Sequence, residues 1–127
     1  VNPFTRAISK AYATLTCSAG VDVTYQRGDE WVRTRAVSGR TDFGVDEGFD
    51  VAHDYRSRDY IFRTCDLRLG GEPVQPQRGD EIRETVGGEV RVYDVLSPGG
   101  GEQVWRYCDH GGTALRVHTK LKQVVAL

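Results

Sequence analysis

The chain has no methionine, and among its 127 residues it holds only three cysteines and three histidines. Cys17, Cys65 and Cys108 are odd in number, widely spaced and without a C-x-x-C pair, so neither a disulfide framework nor a zinc knuckle is indicated. They read as buried or half-buried thiols. His53, His110 and His118 show no H-x-x-x-H or HExxH spacing, so they do not form a metal-binding pattern. Cys108 and His110 flank Asp109 and would share one strand face, but a catalytic Cys–His pair normally comes from separate elements. No apolar run approaches the ~20 residues that a membrane span needs. The N-terminus lacks a basic segment followed by an apolar signal core, so the chain reads as soluble and made in the cytosol. With Val1 first and no methionine anywhere, either a removed initiator or a trimmed chain is expected.

Charge of one sign is also missing. Seventeen Lys plus Arg stand against eighteen Asp plus Glu, a formal charge of −1, which disfavours tight duplex binding. Enzyme signatures are missing too. Gly99, Gly100 and Gly101 lack the Lys-Ser/Thr and the helix that a phosphate loop needs, and no G-x-S-x-G elbow occurs. A carboxylate pair such as Asp80 and Glu102 has no feature that selects it. Neither catalysis nor a cofactor or metal is expected.

What the chain does contain is turn and strand chemistry. Fifteen glycines, six tyrosines, four phenylalanines and abundant valine favour a β-rich fold, and this length fits one domain with a modest core. The clearest stretch runs from Pro76 to Leu96. Pro76, Gly79 and Asp80 supply a turn, and Glu81 to Thr85 and Glu89 to Leu96 form strands on either side of the Gly87-Gly88 pair. Glu81, Arg83, Glu84 and Arg91 read as charges on a solvated strand face.

Asn2 and Pro3 open a helix over residues 3 to about 17, with Phe4, Ala7, Ile8, Ala11 and Leu15 on one apolar stripe. That stripe packs on the chain's own barrel or against a neighbouring subunit. Alternation predicts strands at Val21–Gln26, Trp31–Val37, Tyr60–Thr64, Val104–Tyr107 and Leu115–Lys120, with a short C-terminal tail over 121–127 that is either frayed or docked on a partner. Between Thr41 and Tyr55 the apolar residues Phe43, Val45, Phe49 and Val51 describe a further hairpin. Its other positions carry Asp42, Asp46, Glu47, Asp50 and Asp54, with no Lys or Arg among them. Such a stretch reads as a solvated hairpin or as an arm lining a passage, where negative charge keeps DNA from sticking. The whole implies a mainly β fold: a small antiparallel β-barrel or sandwich with one N-terminal amphipathic helix, forming a single domain over 1–127.

Several of these patterns resemble a known family. Pro76, two spacers, Gly79-Asp80, an aliphatic residue and the Val90-x-Val92-Tyr93-x-Val95 strand are similar to a recurrent core of tailed-phage head-tail joining proteins. The Ser57-Arg58-Asp59-Tyr60-Ile61 run with Asp66-Leu67 resembles their middle strand, and Thr113 to Lys120 their closing one. The resemblance covers most of the chain from Val21 onward and extends to head-completion and stopper proteins of siphophages and prophages. It implies a virion component made in the bacterial cytoplasm, a ring of six or twelve copies between the portal or adaptor above and a tail-end protein below. That ring would close the DNA-filled head, dock the tail and pass double-stranded DNA without sequence specificity. It also implies that the early acidic hairpin faces the channel, with Phe4, Ile8, Leu15, Trp31 and Trp105 as candidate contacts to subunits or neighbours. The competing reading is a monomeric small barrel that binds single-stranded nucleic acid or peptide through Trp31, Tyr60 and Phe62 with Arg33, Arg35, Arg56 and Arg58.

Overall fold

The computed structural model describes residues 3–39, 57–97 and 103–127. Helix α1 (Pro3–Ala19) is followed by β1 (Val21–Arg27), β2 (Glu30–Gly39), β3 (Ser57–Arg63), β4 (Arg68–Leu69), β5 (Glu72–Pro73), β6 (Glu81–Val86), β7 (Glu89–Val95), β8 (Trp105–Tyr107) and β9 (Ala114–Ala126). A short 3-10 turn, Thr64–Asp66, follows β3. The main sheet runs β3-β2-β1-β6-β7-β9, and an antiparallel β3–β9 pairing closes it into a six-stranded barrel. Closure removes most of the strand edges that an open sheet would expose.

Strand β9 makes that closure possible because it is long. Its first half pairs with β3 along one edge, and its other edge serves β8 first and then β7. Residues 121–126, expected in a tail, continue β9: Val124 pairs with Arg91 and Val125 with Val90. The paired backbone outweighs any tendency to fray there, and a register shift at Val92/Tyr93 absorbs the bend.

The β6–β7 hairpin forms as its sequence dictates. Gly87 and Gly88 take φ 54° and 90°, the left-handed values that a two-residue primed turn requires. The turn before it is locked by Asp80. The backbone N–H of Gln77 donates to Asp80 Oδ2 at 2.9 Å, and Val95 N–H donates to the Asp80 carbonyl at 2.9 Å.

The core is aromatic. Tyr25, Tyr60, Phe62 and Tyr93 are buried with Ile82, Val95, Leu115 and Val117, and Leu67 and Leu69 from the segment after β3 join the same cluster. Tyr25 meets Phe62 edge to face at 5.9 Å, and Tyr60 meets Tyr93 at 5.7 Å. Each such ring removed from water contributes ~1.5–3 kcal/mol, and the edge-to-face geometry adds about 0.5–1.5 kcal/mol more.

Two sequence expectations about this interior are corrected. Glu84, read as a solvated charge, is buried, because it alternates with Ile82 on the inward face of β6. Tyr60 and Phe62, read as an exposed stacking surface, are fully buried, because both point inward from β3. The helix is also turned from its predicted stripe. Thr5, Ile8, Ser9, Tyr12 and Ala13 are half-buried, whereas Phe4, Ala7 and Ala11 are exposed. α1 packs on β2 and β3, and Gly111 gives it room, since a Cβ there would lie 2.9 Å from the Thr5 side chain.

Candidate interaction surfaces

Three polar networks hold the barrel's shape, and each uses groups that a catalytic reading might have claimed. In the first, the Tyr25 hydroxyl donates to Asp80, and Arg27 donates in bidentate fashion, Nε to Oδ1 at 3.0 Å and Nη2 to Oδ2 at 2.9 Å. Arg27 also donates to the Gln75 carbonyl at 2.7 Å, tying β1 to the turn before β6. Burial, helped by the Asp80 carboxylate, pushes the Tyr25 hydroxyl far above its ordinary value, so it stays a neutral donor.

In the second, Tyr60 donates to Glu84 Oε1 at 2.7 Å, and Arg58 Nη1 lies 3.2 Å from the same oxygen. Arg58 also donates to the Tyr93 hydroxyl at 3.2 Å. Burial and Glu84 likewise raise Tyr60. Arg58, expected among the phosphate-binding arginines, is thereby committed to the barrel.

The third network lies on the β3–β9 pair. Arg116 Nη1 donates to Asp59 Oδ2 at 2.8 Å, and His118 Nδ1 lies 3.1 Å from Asp59 Oδ1, with Asp59 almost wholly buried. Nearby, the turn before β9 is built on Asp109, which accepts from the backbone N–H and the hydroxyl of Thr113 and from Ala114 N–H. Against a desolvation that would raise it, these bonds hold the Asp109 carboxyl below the usual carboxylate range.

Cys65 and Cys108, expected to be buried or half-buried, are exposed, because one sits in the 3-10 turn and the other just past β8. Partial desolvation pushes the Cys108 thiol up, against the pull of Arg116 and Tyr12, which leaves it a weak nucleophile at neutral pH. The side chain of Cys17 lies outside the described residues. Among the described residues no three His, Cys, Asp or Glu side chains cluster as metal ligands, and no helix is long and apolar enough to cross a membrane.

The outer surface carries the remaining candidates. Phe4 is 73% exposed and Trp31 59%, whereas Ile8 is half-buried and Trp105 packs partly on the core, edge to face with Tyr107 at 4.8 Å. Leu15 falls in α1, with its side chain outside the described residues. Asp42, Asp46, Glu47, Asp50, Asp54 and Arg56 also lie outside them. Tyr107, Val124 and Val125 are exposed as well, and the two valines belong to the terminal segment for which docking on a partner was one of the two expectations.

Where β1 and β6 part there is a groove of about 630 Å³, lined by Gly20 to Thr24, Arg33, Arg35, Arg83, Glu84, Thr85 and Val90. Its rim is basic. Arg35 pairs with Asp22 at 3.1 Å and Arg83 with Glu81 at 3.2 Å, while Arg33 has no ion pair among the described residues.

The chain is thus a closed six-stranded barrel with a terminal helix, its polar networks spent on its own framework and the large apolar side chains Phe4 and Trp31 left on the outside. The family model for phage head-tail joining proteins matches residues 2–126, and the chain belongs to that family. No curated protein matches the sequence.

Proposed function

We propose that copies of this chain form a ring below the portal and adaptor that closes the DNA-filled head and offers the tail its docking surface. Membership of a head-tail joining family gives the protein virion partners. The observation that carries the finer reading is the separation of its exposed apolar side chains. Tyr107 lies just before β9 and Phe4 adjoins Thr5, which touches the turn at Gly111; Val124 and Val125 lie near the far end of β9. The stretch of β9 from Leu115, which pairs with Tyr107, to Val124 and Val125 separates those two groups by roughly 30 Å along the strand. A cyclic ring needs two different patches on each subunit, one for each neighbour, and this arrangement supplies them. Exposed aromatic and aliphatic side chains are also the usual anchors of protein contacts.

Trp31, on the outer face of β2, and Phe4, on α1, are the side chains we assign first to subunit or neighbour contacts, with Ile8, Leu15 and Trp105 as further candidates from the sequence. The acidic residues Asp42, Asp46, Glu47, Asp50 and Asp54 are read, on charge, as facing the DNA path, where they repel phosphate and let the duplex slide. The rival reading as a monomeric nucleic-acid module is weakened, because two of its three stacking rings are buried and Arg58 is held by Glu84.

The experiment is reconstitution. DNA-filled heads made without this protein should fail to join tails and should leak DNA, and adding the purified chain should restore joining, with a ring visible by electron microscopy at the head vertex. Heads that join tails equally well without it, or a chain that stays monomeric on the heads, would sink the proposal.

A further inference from the structure

The groove between β1 and β6 has a feature the ring reading does not use. The two strands pair only from Val23–Glu84 to Gln26–Glu81. Beyond that point Val21 and Asp22 keep their partners on β2, and Thr85 and Val86 keep theirs on β7, but the two strands no longer pair with each other. A closed barrel thus opens locally into two facing strand edges, and the groove lies between them. Backbone edges of this kind accept an added strand.

The side chains around the opening state what that strand should carry. Arg33 and Arg35 reach in from β2 and Arg83 from β6, and Thr24 and Thr85 add hydroxyls. Trp31 lies two residues before Arg33 on the same face of β2 and is exposed. Asp22 and Glu81 share two of the three guanidiniums, but both pairs are exposed and therefore weakly held and exchangeable.

We propose that this groove binds an extended, acidic polypeptide segment of a neighbouring protein by strand addition, with Arg33 as the principal anchor of its carboxylates. A peptide fits the opening better than a nucleic acid does. Its backbone amides match the two strand edges, whereas a phosphodiester has no donors to offer them. A continuous run of phosphates would also meet Asp22 at the rim, while carboxylates on alternate residues can face the arginines one by one.

The test uses the whole purified chain with a short fluorescein-labelled peptide of alternating glutamate and valine, the same peptide with lysine for glutamate, and a single-stranded oligothymidylate. Binding read by anisotropy should favour the glutamate peptide, fall with added salt, and weaken by about tenfold or more in Arg33→Glu. Hydrogen exchange should show slowing, when the peptide binds, of the one amide in each of the pairs 21–22 and 85–86 that faces the opening, a backbone signature that simple charge attraction does not give. Unchanged thermal unfolding of Arg33→Glu, whose site is at the surface, establishes that the variant is folded. Tighter binding of oligothymidylate, equal binding of the lysine peptide, no binding of any probe, or Arg33-dependent self-association in place of peptide binding would each overturn the proposal. Because none of these readouts involves heads or tails, their failure is distinct from failure of the ring reading.

Discussion

Tyr60 donates its hydroxyl to Glu84 at 2.7 Å inside a barrel otherwise filled with aromatic and aliphatic side chains. Arg58 completes the pair from the edge, its guanidinium lying 5.8 Å from the Tyr60 ring centroid and 5.9 Å from that of Tyr93. Burying a carboxylate is costly unless its charge is met, and here Tyr60 and Arg58 both meet it at Oε1. Truncation therefore has a clear direction. Glu84→Ala leaves Arg58 without its counter-charge and Tyr60 without its acceptor, and should cost about 3 kcal/mol in urea unfolding. Glu81→Ala, on the exterior of the same strand, should cost under ~1 kcal/mol. Similar losses for both would mean that Glu84 is hydrated in solution.

Asp80 is the second fixed point. It receives Tyr25, both arms of Arg27 and the Gln77 amide while 3% exposed. Asp80→Ala removes the acceptor of four hydrogen bonds and should destabilise by ~3–5 kcal/mol. Asp80→Asn keeps the size but cannot satisfy Arg27 and Tyr25 together, so it should fall between the wild type and Asp80→Ala. Wild-type-like denaturation midpoints for Asp80→Ala would refute this account of the turn.

Much of this barrel is legible from sequence, because its turns are set by local chemistry. The Gly87-Gly88 pair, the Pro76-to-Asp80 turn and the alternation in β1 and β2 each point to the element that forms. What is not legible is which charged residue turns inward. Glu84 and Arg83 look alike in sequence, and only the register that sets Tyr25 against Ile82 decides that Glu84 faces Tyr60. The helix shows the same limit: Phe4 begins an apolar stripe, but α1 docks through Thr5, Ile8 and Tyr12 because Gly111 admits Thr5. The groove could not be read either, since it arises where two correctly expected strands stop pairing.

The tyrosine shifts give stability a pH dependence at the alkaline end. Tyr25 and Tyr60 have folded-state values raised far above 10.0, so their contribution is fully present below pH ~10 and is lost as pH rises past it, where the unfolded chain ionises and the folded one resists. Circular dichroism should show unfolding in the same window as the tyrosinate signals of Tyr25 and Tyr60 appear, each identified by its loss in Tyr25→Phe or Tyr60→Phe. At the acid end the sign reverses. The Lys122 ammonium holds the Glu81 carboxyl below its ordinary 4.5, and Asp109 lies below 3.8, so their contributions are present above those values and vanish as pH falls through the lowered ones. Asp109→Asn should flatten the acid limb and leave the alkaline limb unchanged. Ionisation of Tyr25 or Tyr60 at an ordinary pH without unfolding would contradict the buried network.

The exposed aromatics separate folding from assembly, and one pair of variants tests that separation. Phe4 is 73% exposed on α1 and Trp31 59% exposed on β2, so neither fills the core. Replacing either with serine should change unfolding free energy by no more than ~0.5 kcal/mol, the range of a surface substitution away from special features. If these side chains anchor contacts to neighbouring subunits or to the virion proteins above and below, the same substitutions should each weaken assembly by ~2 kcal/mol or more, since buried aromatic anchors dominate interface energies. The double variant should then fold as the parent does, fail to form rings, and leave heads unable to take tails. Phe62→Ser serves as the contrast. Phe62 is fully buried, so its loss should cost about 3–5 kcal/mol and abolish assembly by unfolding. Should the Phe4 and Trp31 variants join heads to tails at parental efficiency, those two side chains are ordinary solvent-facing residues, and the contacts rest on Tyr107, Val124 and Val125 alone.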